Sequence, residues 1–244
     1  LSSVDAQNNP YHLSQETLRD LKENNHAHQQ SIVCYAHKGS ITYQIDVIGK
    51  AAHSSAPELG INAIDELMEF DEKMKRIFTH LTAVNDPLGK TVAVDTKITG
   101  GDQLNSVPAT ASLFVKVRTI PEVSNQSILE ELNTLVESFN ELSPAKFSIK
   151  ILGNKWPVYT DPSAKLFNVI TKVGEKTLSQ KLPFAGMTGG TDAAELTKDH
   201  HEVEVAVFGP GNFSAHQENE YVDIDTYLRF IDTYKEIISN YLTE

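Results

Sequence analysis

From residue 40 onward the chain alternates between two hydrophobic periods. Ile41, Tyr43, Ile45 and Val47 occupy every second position, the mark of a strand with one buried face. Ile61, Ile64, Leu67, Met68, Met74 and Phe78 follow a period near 3.6 and predict a helix. Val92 and Val94, leading toward Gly100-Gly101, predict a second strand; Leu113, Val115 and Val117 predict a third. Ser124 or Asn125 is placed to cap a second helix with the stripe Ile128, Leu132, Leu135, Val136 and Phe139. Phe147, Ile149 and Ile151 close the series. The order β-α-β-β-α-β, with both helices on one face of an antiparallel sheet, predicts an α+β ferredoxin-like sandwich over residues 37–153. Its strand near Val92 to Gly101 is an edge whose backbone groups need a partner, which a two-fold pairing of identical edges would supply.

Residues 154–244 read as part of an α/β layer short of strands. Asp161-Pro162 fits the cap and first-turn positions of a helix with Leu166, Val169, Ile170 and Val173 inward. Gly186 to Gly190 predicts a turn, and Asp192 a cap for a short helix. Val203, Val205 and Val207 predict one face of a strand, broken by Pro210-Gly211-Asn212. A final helix begins near Asp225 with Tyr227, Ile231, Tyr234, Ile238 and Tyr241 on one stripe. Residues 1–36 form an N-terminal segment. Ser14 fits a helix cap, Leu13 and Leu18 a hydrophobic staple, and residues 22–30 a polar loop. His26 and His28 share a face if extended, as a metal pair or simply as part of that exposed loop.

Composition narrows the function classes. The 244 residues are 40% hydrophobic and 22% charged, ordinary for a globular protein. A formal net charge of −12 argues against a nucleic-acid partner, which needs a basic footprint. Cys34 is the only cysteine, so no intramolecular disulfide forms; within the apolar run Ile32 to Ala36 it reads as a buried residue. No apolar run approaches the roughly 18 residues of a membrane span, and no basic, apolar leader opens the chain, so a cytoplasmic setting is expected. The start at Leu1 rather than Met predicts a fragment or a processed product.

Several ordered motifs carry a more specific signal. They are His37-Lys38-Gly39-Ser40, the run from Gly49 through His53-Ser54-Ser55-Ala56-Pro57-Glu58-Leu59-Gly60 to Ile64, Gly100-Gly101-Asp102-Gln103-Leu104-Asn105-Ser106-Val107-Pro108, Val117-Arg118-Thr119-Ile120-Pro121, Gly189-Gly190-Thr191-Asp192-Ala193 and Gly209 to Tyr221 around His216. Together, from about residue 31 to the C-terminus, they resemble the acetylornithine deacetylase, succinyl-diaminopimelate desuccinylase, aminoacylase and carboxypeptidase family of dinuclear zinc hydrolases. The resemblance covers the C-terminal portion: a lid or dimerisation domain and the end of an α/β zinc-peptidase-like catalytic domain.

The resemblance implies two zinc ions and a homodimer formed through the lid. It implies hydrolysis of an amide in a small N-acyl amino acid or peptide, most like the acetylornithine or succinyl-diaminopimelate type. It assigns His53 to stabilising the oxyanion in the partner's active site, a donor being worth about 2.7–4 kcal/mol there. It assigns Asn105, Arg118, Gly190 and Thr191 to substrate, and His216 to metal. The residues alone leave alternatives: a turn-capping role for His53, a rim salt bridge for Arg118, an Asx turn for Asn105, plain turn glycines at Gly189-Gly190, and a polar loop residue at His216.

The chain departs from the family in its metal ligands. The family's acidic ligand about ten residues before His37 is replaced by His26-Ala27-His28. The Glu-Glu pair that would supply the general base has no counterpart in such a setting; Glu130-Glu131 lies between Leu129 and Leu132 on a predicted helix and reads as a solvated face. A catalytic zinc needs about three protein ligands, and His216 supplies one. The expectation is therefore a metal-dependent amide hydrolase by descent, with this chain inactive alone. The alternative is a non-catalytic dimerisation or binding module left from a truncated hydrolase.

Overall fold

The computed structural model describes residues 31–200, 202–211, 214 and 218–243. The helix signal of Leu13 to Leu21, the His26-Ala27-His28 run and His216 lie outside the described residues. In chain order the elements are β1 (Val33–His37), β2 (Gly39–Ile48), β3 (Ala52–His53), α1 (Ala63–His80), β4 (Val84–Asn85), β5 (Gly89–Lys90) and β6 (Val92–Gly100). Then come β7 (Ser106–Val107), β8 (Thr110–Thr119), α2 (Asn125–Leu142), β9 (Lys146–Lys155), β10 (Val158–Tyr159), α3 (Lys165–Leu178), β11 (Phe184–Met187), α4 (Ala193–Leu196) and α5 (Ile224–Thr243). The described residues fall into two compact units: 38–85 with 89–157, and 31–37 with 86–88 and 158–243.

The unit of residues 38–157 is built on a four-stranded sheet of order β6-β8-β2-β9, every neighbouring pair antiparallel. Ile41, Tyr43, Ile45 and Val47 of β2 and Leu113, Val115 and Val117 of β8 are buried on one face, as the alternation requires. Two helices cover that face. In α1 the Asn62 side chain accepts a hydrogen bond from Ile64 N at 3.0 Å, and Ala63, Leu67, Phe70 and Met74 face inward. Phe70 packs with Phe139 and Phe147 at ring-centroid distances of 5.1 and 5.4 Å. Met68, predicted on the inward stripe, is 62% exposed. The buried line steps 63, 67, 70, 74, and Met68 lies a full 100° round the helix from Leu67. In α2 the Ser124 hydroxyl caps Gln126 N at 3.2 Å, and Asn125, Ile128, Leu132 and Val136 are buried.

The other unit holds the three-stranded sheet β10-β1-β11, with β1 antiparallel to β10 and parallel to β11. Its core gathers Val33, Phe167, Ile170, Val173, Phe230 and Ile237 from β1, α3 and α5. Thr177 and Thr233 hydroxyls meet at 2.7 Å between these two helices.

Here the sequence expectations need five corrections. The helix expected at Asp161-Pro162 begins at Lys165; the Asp161 carboxylate instead accepts from Ser163 N at 2.8 Å and closes the preceding turn. That pair of bonds, backbone first and hydroxyl second, holds the Asp161 carboxyl below its usual range. Gly186 is not a turn residue but sits in β11, beside Ala36 of β1, where an added Cβ would run into Pro87. Asp192 stands at the N-cap of α4 without a side-chain cap bond; Thr191 Oγ1 takes Ala193 N at 3.3 Å instead. The strand expected at Val203, Val205 and Val207 is reduced to one antiparallel bridge, Val207 with Cys34, and Val203 is 51% exposed. Val205 N donates to the Thr160 hydroxyl rather than to a strand. In α5 the inward stripe is Thr226, Phe230, Thr233 and Ile237, one position off the expected Tyr227, Ile231, Tyr234 and Ile238, all of which are exposed.

Candidate active site

His53 comes from the short strand β3, which pairs with β7 so that His53 faces Ser106. Ser54 N donates to the Asn105 carbonyl at 2.9 Å and ties the two loops together. His53 and Asn105 are thus brought to one end of the unit, both exposed. Ser55 N donates to His53 Nδ1 at 3.2 Å, and the Ser55 hydroxyl lies 2.7 Å from the same nitrogen. A backbone N–H can only donate, so Nδ1 is the acceptor and the neutral ring carries its proton on Nε2. The ring therefore presents an N–H donor outward. The Asn105 side-chain amide makes no hydrogen bond among the described residues, so the self-tied Asx turn is not formed.

Arg118 stands at the other end of β8, in register with Ser40 of β2 and Val92 of β6. It is half-buried, and among the described residues no carboxylate pairs with it, which sets aside the rim salt bridge. Two lysines share its surroundings. Lys38 is buried and its Nζ donates to the Lys90 carbonyl at 2.5 Å; Lys116 Nζ donates to Thr42 Oγ1 at 2.8 Å. Burial, and then the Arg118 charge, hold both ammonium groups below the usual lysine range. From Thr110, near the β3–β7 end, to Arg118 is eight residues of strand, about 27 Å. Within one chain His53 and Arg118 cannot touch the same small molecule.

Thr191 and Gly190 follow β11 in the other unit, with Gly190 exposed. At the neighbouring Gly189 a Cβ would meet nothing within 4 Å, so packing leaves that backbone open to approach. Lys116 escaped the sequence reading although its signal was present: it lies two residues before Arg118 and so shares its face. Among the described residues no three His, Cys, Asp or Glu side chains stand close enough to hold a metal ion. The described residues therefore offer no fitting seat for a zinc pair. No helix among them is long and apolar enough to cross a membrane.

Residues 35–142 match the peptidase dimerisation domain of the M20 family. Over 239 residues the chain is 36% identical to a protein of Staphylococcus aureus strain N315 named probable succinyl-diaminopimelate desuccinylase, covering 87% of this chain and 58% of the relative. Among solved structures, aminopeptidase PepT from Bacillus cereus superposes with a TM-score of 0.70 at 18% identity, over 88% of this chain and 55% of that one. The M20 family metallo-carboxypeptidase Sso-CP2 from Sulfolobus solfataricus gives 0.66 at 16%, over 87% and 60%. At these identities the two structures speak for the fold.

The sheet and its two covering helices fall largely within residues 35–142, the span that matches a peptidase dimerisation domain. Residues 35–142 thus carry the M20 peptidase dimerisation domain, and the chain as a whole is similar to proteins named probable succinyl-diaminopimelate desuccinylase and to the solved fold of an M20 carboxypeptidase. The chain spans about 58% of the length of the curated relatives it matches.

Proposed function

We propose that this chain is the ferredoxin-like lid and adjoining catalytic-domain end of a zinc-dependent deacylase of N-acyl amino acids, working as a homodimer in which His53 serves the partner's site. One observation carries this reading: His53 and Arg118 lie toward opposite ends of a sheet whose edge strand β6 is open. If two β6 edges pair antiparallel about a two-fold axis, the Val92 end of one copy meets the Gly100 end of the other. Arg118 is in register with Val92, and the loop carrying Asn105 follows Gly100. Pairing thus brings Arg118 of one copy within two to three strand spacings, about 10–15 Å, of the other copy's His53 loop. The edge is also built for burial. Met68 and Ile98, 62% and 61% exposed, line a groove of about 370 Å³ with Leu67 and Leu113 between α1 and β6.

In this arrangement each side chain has a plain task. The Arg118 guanidinium holds the substrate carboxylate with its planar fork. His53 Nε2–H donates to the oxyanion that forms when the amide carbonyl is attacked, with the Asn105 amide beside it. The chain alone is expected to hold no stoichiometric zinc and to cleave no N-acyl amino acid, because its sequence matches only one of the family's metal ligands, His216.

The second reading is a non-catalytic dimerisation or binding module left from a truncated hydrolase, supported by the match of residues 35–142 to a peptidase dimerisation domain. Spin labels on His53→Cys and Arg118→Cys chains, each in a Cys34→Ala background and mixed as dimers, test the shared geometry. An inter-copy distance of about 10–20 Å supports trans action, allowing for the label arms beyond the strand spacings. A monomeric mass of 27.0 kDa at micromolar concentration would refute the dimer in both readings. Two zinc ions per chain, with deacylase turnover lost on His216→Ala, would show that this chain carries its own metal centre.

A further inference from the structure

The four-stranded sheet has a second face, the one without helices. Its positions follow from the register: Val92, Arg118, Ser40 and Lys155 form one row across the strands, and Val94, Lys116, Thr42 and Gly153 the next. Lys97 and Lys150 lie one row further, on either side of Phe114 and Gln44. In a chain of net charge −12 this face is cationic. Among the described residues no carboxylate pairs with Lys97, Lys116, Arg118 or Lys150. The one acid on the face near them, Asp46, lies at the far end of β2 and is occupied by hydrogen bonds from Gln44 and the Ser112 hydroxyl. The acidic residues of α1 and α2, including Glu66, Glu69, Glu72, Glu130 and Glu131, belong to the covered side. The unit is therefore electrically two-sided, and a small anion is drawn to the open sheet.

We propose that Lys116 and Arg118 together form a two-point anchor for a small molecule carrying two carboxylates, with Lys116 fixing the second. This rests on the assignment of Arg118 as the carboxylate clamp and adds a specificity residue beside it. The two residues are successive same-face positions of one strand, about 7 Å apart, a separation that a short diacid bridges and a single carboxylate does not. Lys116 is also held ready: its Nζ is tethered to Thr42 Oγ1 at 2.8 Å on the neighbouring strand, which fixes a side chain that otherwise loses much rotamer freedom on binding. A diacid would also offset the repulsion from Arg118, which adds to burial in holding the Lys116 ammonium below the usual lysine range. Single-stranded nucleic acid fits the face less well. It needs an open aromatic platform, and Phe114 is covered by Lys97 Nζ at 5.1 Å from the ring centroid.

The test uses the 244-residue chain, titrated calorimetrically with succinate and with butyrate, its four-carbon monoacid counterpart, at constant ionic strength. Succinate is expected to bind about tenfold more tightly, the scale of one added charge-assisted hydrogen bond. Lys116→Met should bring the two acids within about twofold of each other by weakening succinate alone, whereas Arg118→Met should weaken both. Thr42→Val, which frees Lys116 without removing its charge, should give an intermediate preference, and circular dichroism checks that each variant is folded. Equal wild-type affinities, or a preference that survives Lys116→Met, would overturn the two-point anchor while leaving the Arg118 clamp standing if Arg118→Met still weakens both acids. Binding of neither acid would overturn anchor and clamp alike. A uridine oligonucleotide that binds and is not displaced by succinate would reassign the face to nucleic acid.

Discussion

Substituting two nearby residues of α1 separates what holds the fold from what the proposed pairing of two copies would use. Phe70 is fully buried and touches Phe139 and Phe147 at 5.1 and 5.4 Å, while Met68, two residues earlier, is 62% exposed beside the open β6 edge. Phe70→Ala removes a large ring from a packed site, a change that costs about 3–5 kcal/mol, the ring pairs accounting for about 1 kcal/mol of it. Met68→Lys removes little that is buried in one copy and should change stability by less than about 0.5 kcal/mol. In a two-fold dimer, however, the substitution occurs twice in one interface. At about 1 kcal/mol per copy the dissociation constant should rise about thirtyfold. Urea denaturation followed by the fluorescence of Trp156, the only tryptophan and part of this unit, reads the first effect; sedimentation equilibrium reads the second. A Phe70→Ala protein within 1 kcal/mol of wild type, or a Met68→Lys protein less stable than Phe70→Ala, would show that the inward stripe has been wrongly assigned. An unchanged dimer in Met68→Lys would remove β6 and α1 from the interface.

Other outcomes can be checked more briefly. Burial pushes the Cys34 thiol from 9.0 up to about 11, so the folded state disfavours the thiolate. The corresponding stability, about 2–3 kcal/mol, is fully present below pH 9 and should be lost as pH rises from about 9 to 11; Cys34→Ala should flatten that slope in denaturation midpoints. Gly39→Ala places a Cβ 2.6 Å from Pro157 N and 2.7 Å from the Lys155 carbonyl, backbone that cannot swing away. It should destabilise the unit by about 2–3 kcal/mol, and a thermal midpoint equal to wild type would contradict the packing. Imidazole 15N shifts of His53 should report the Nε2–H tautomer, more evenly mixed in Ser55→Ala; an Nδ1–H ring in wild type would undo the proposed donor role.

How far the fold was legible in the sequence depended on how many faces of each element are apolar. β2 and β8 have one buried face, so Ile41 to Val47 and Leu113 to Val117 could be placed by alternation alone. In α5 both sides are apolar: Tyr227, Ile231, Tyr234 and Ile238 form as good a stripe as the buried one, which includes Thr226 and Thr233. Periodicity cannot choose between two apolar stripes, and the threonines turned the choice the wrong way. The segment Val203 to Val207 failed for a different reason. Alternation marks a tendency to extend, but a strand also needs a partner, and only Val207 finds one in Cys34. For the candidate site, motif order named the candidate residues, while their placement on the sheet came only from its register. No local pattern tells that His53 and Arg118 sit toward opposite ends of one sheet.

The order in which the two units appear along the chain also bears on how it folds. His37 and Val158 are neighbours in the three-stranded sheet, yet roughly 120 residues separate them in sequence. Just inside that pair, Ser40 and Lys155 are neighbours in the four-stranded sheet. Once β2 and β9 have paired, the effective loop between His37 and Val158 shrinks from the whole intervening unit to a few residues. The closure entropy thereby removed is about 3 kcal/mol. The inserted unit thus acts as a kinetic template for the sheet it interrupts. Substitutions in its core should slow formation of the β1–β10 pairing, although they touch none of its residues.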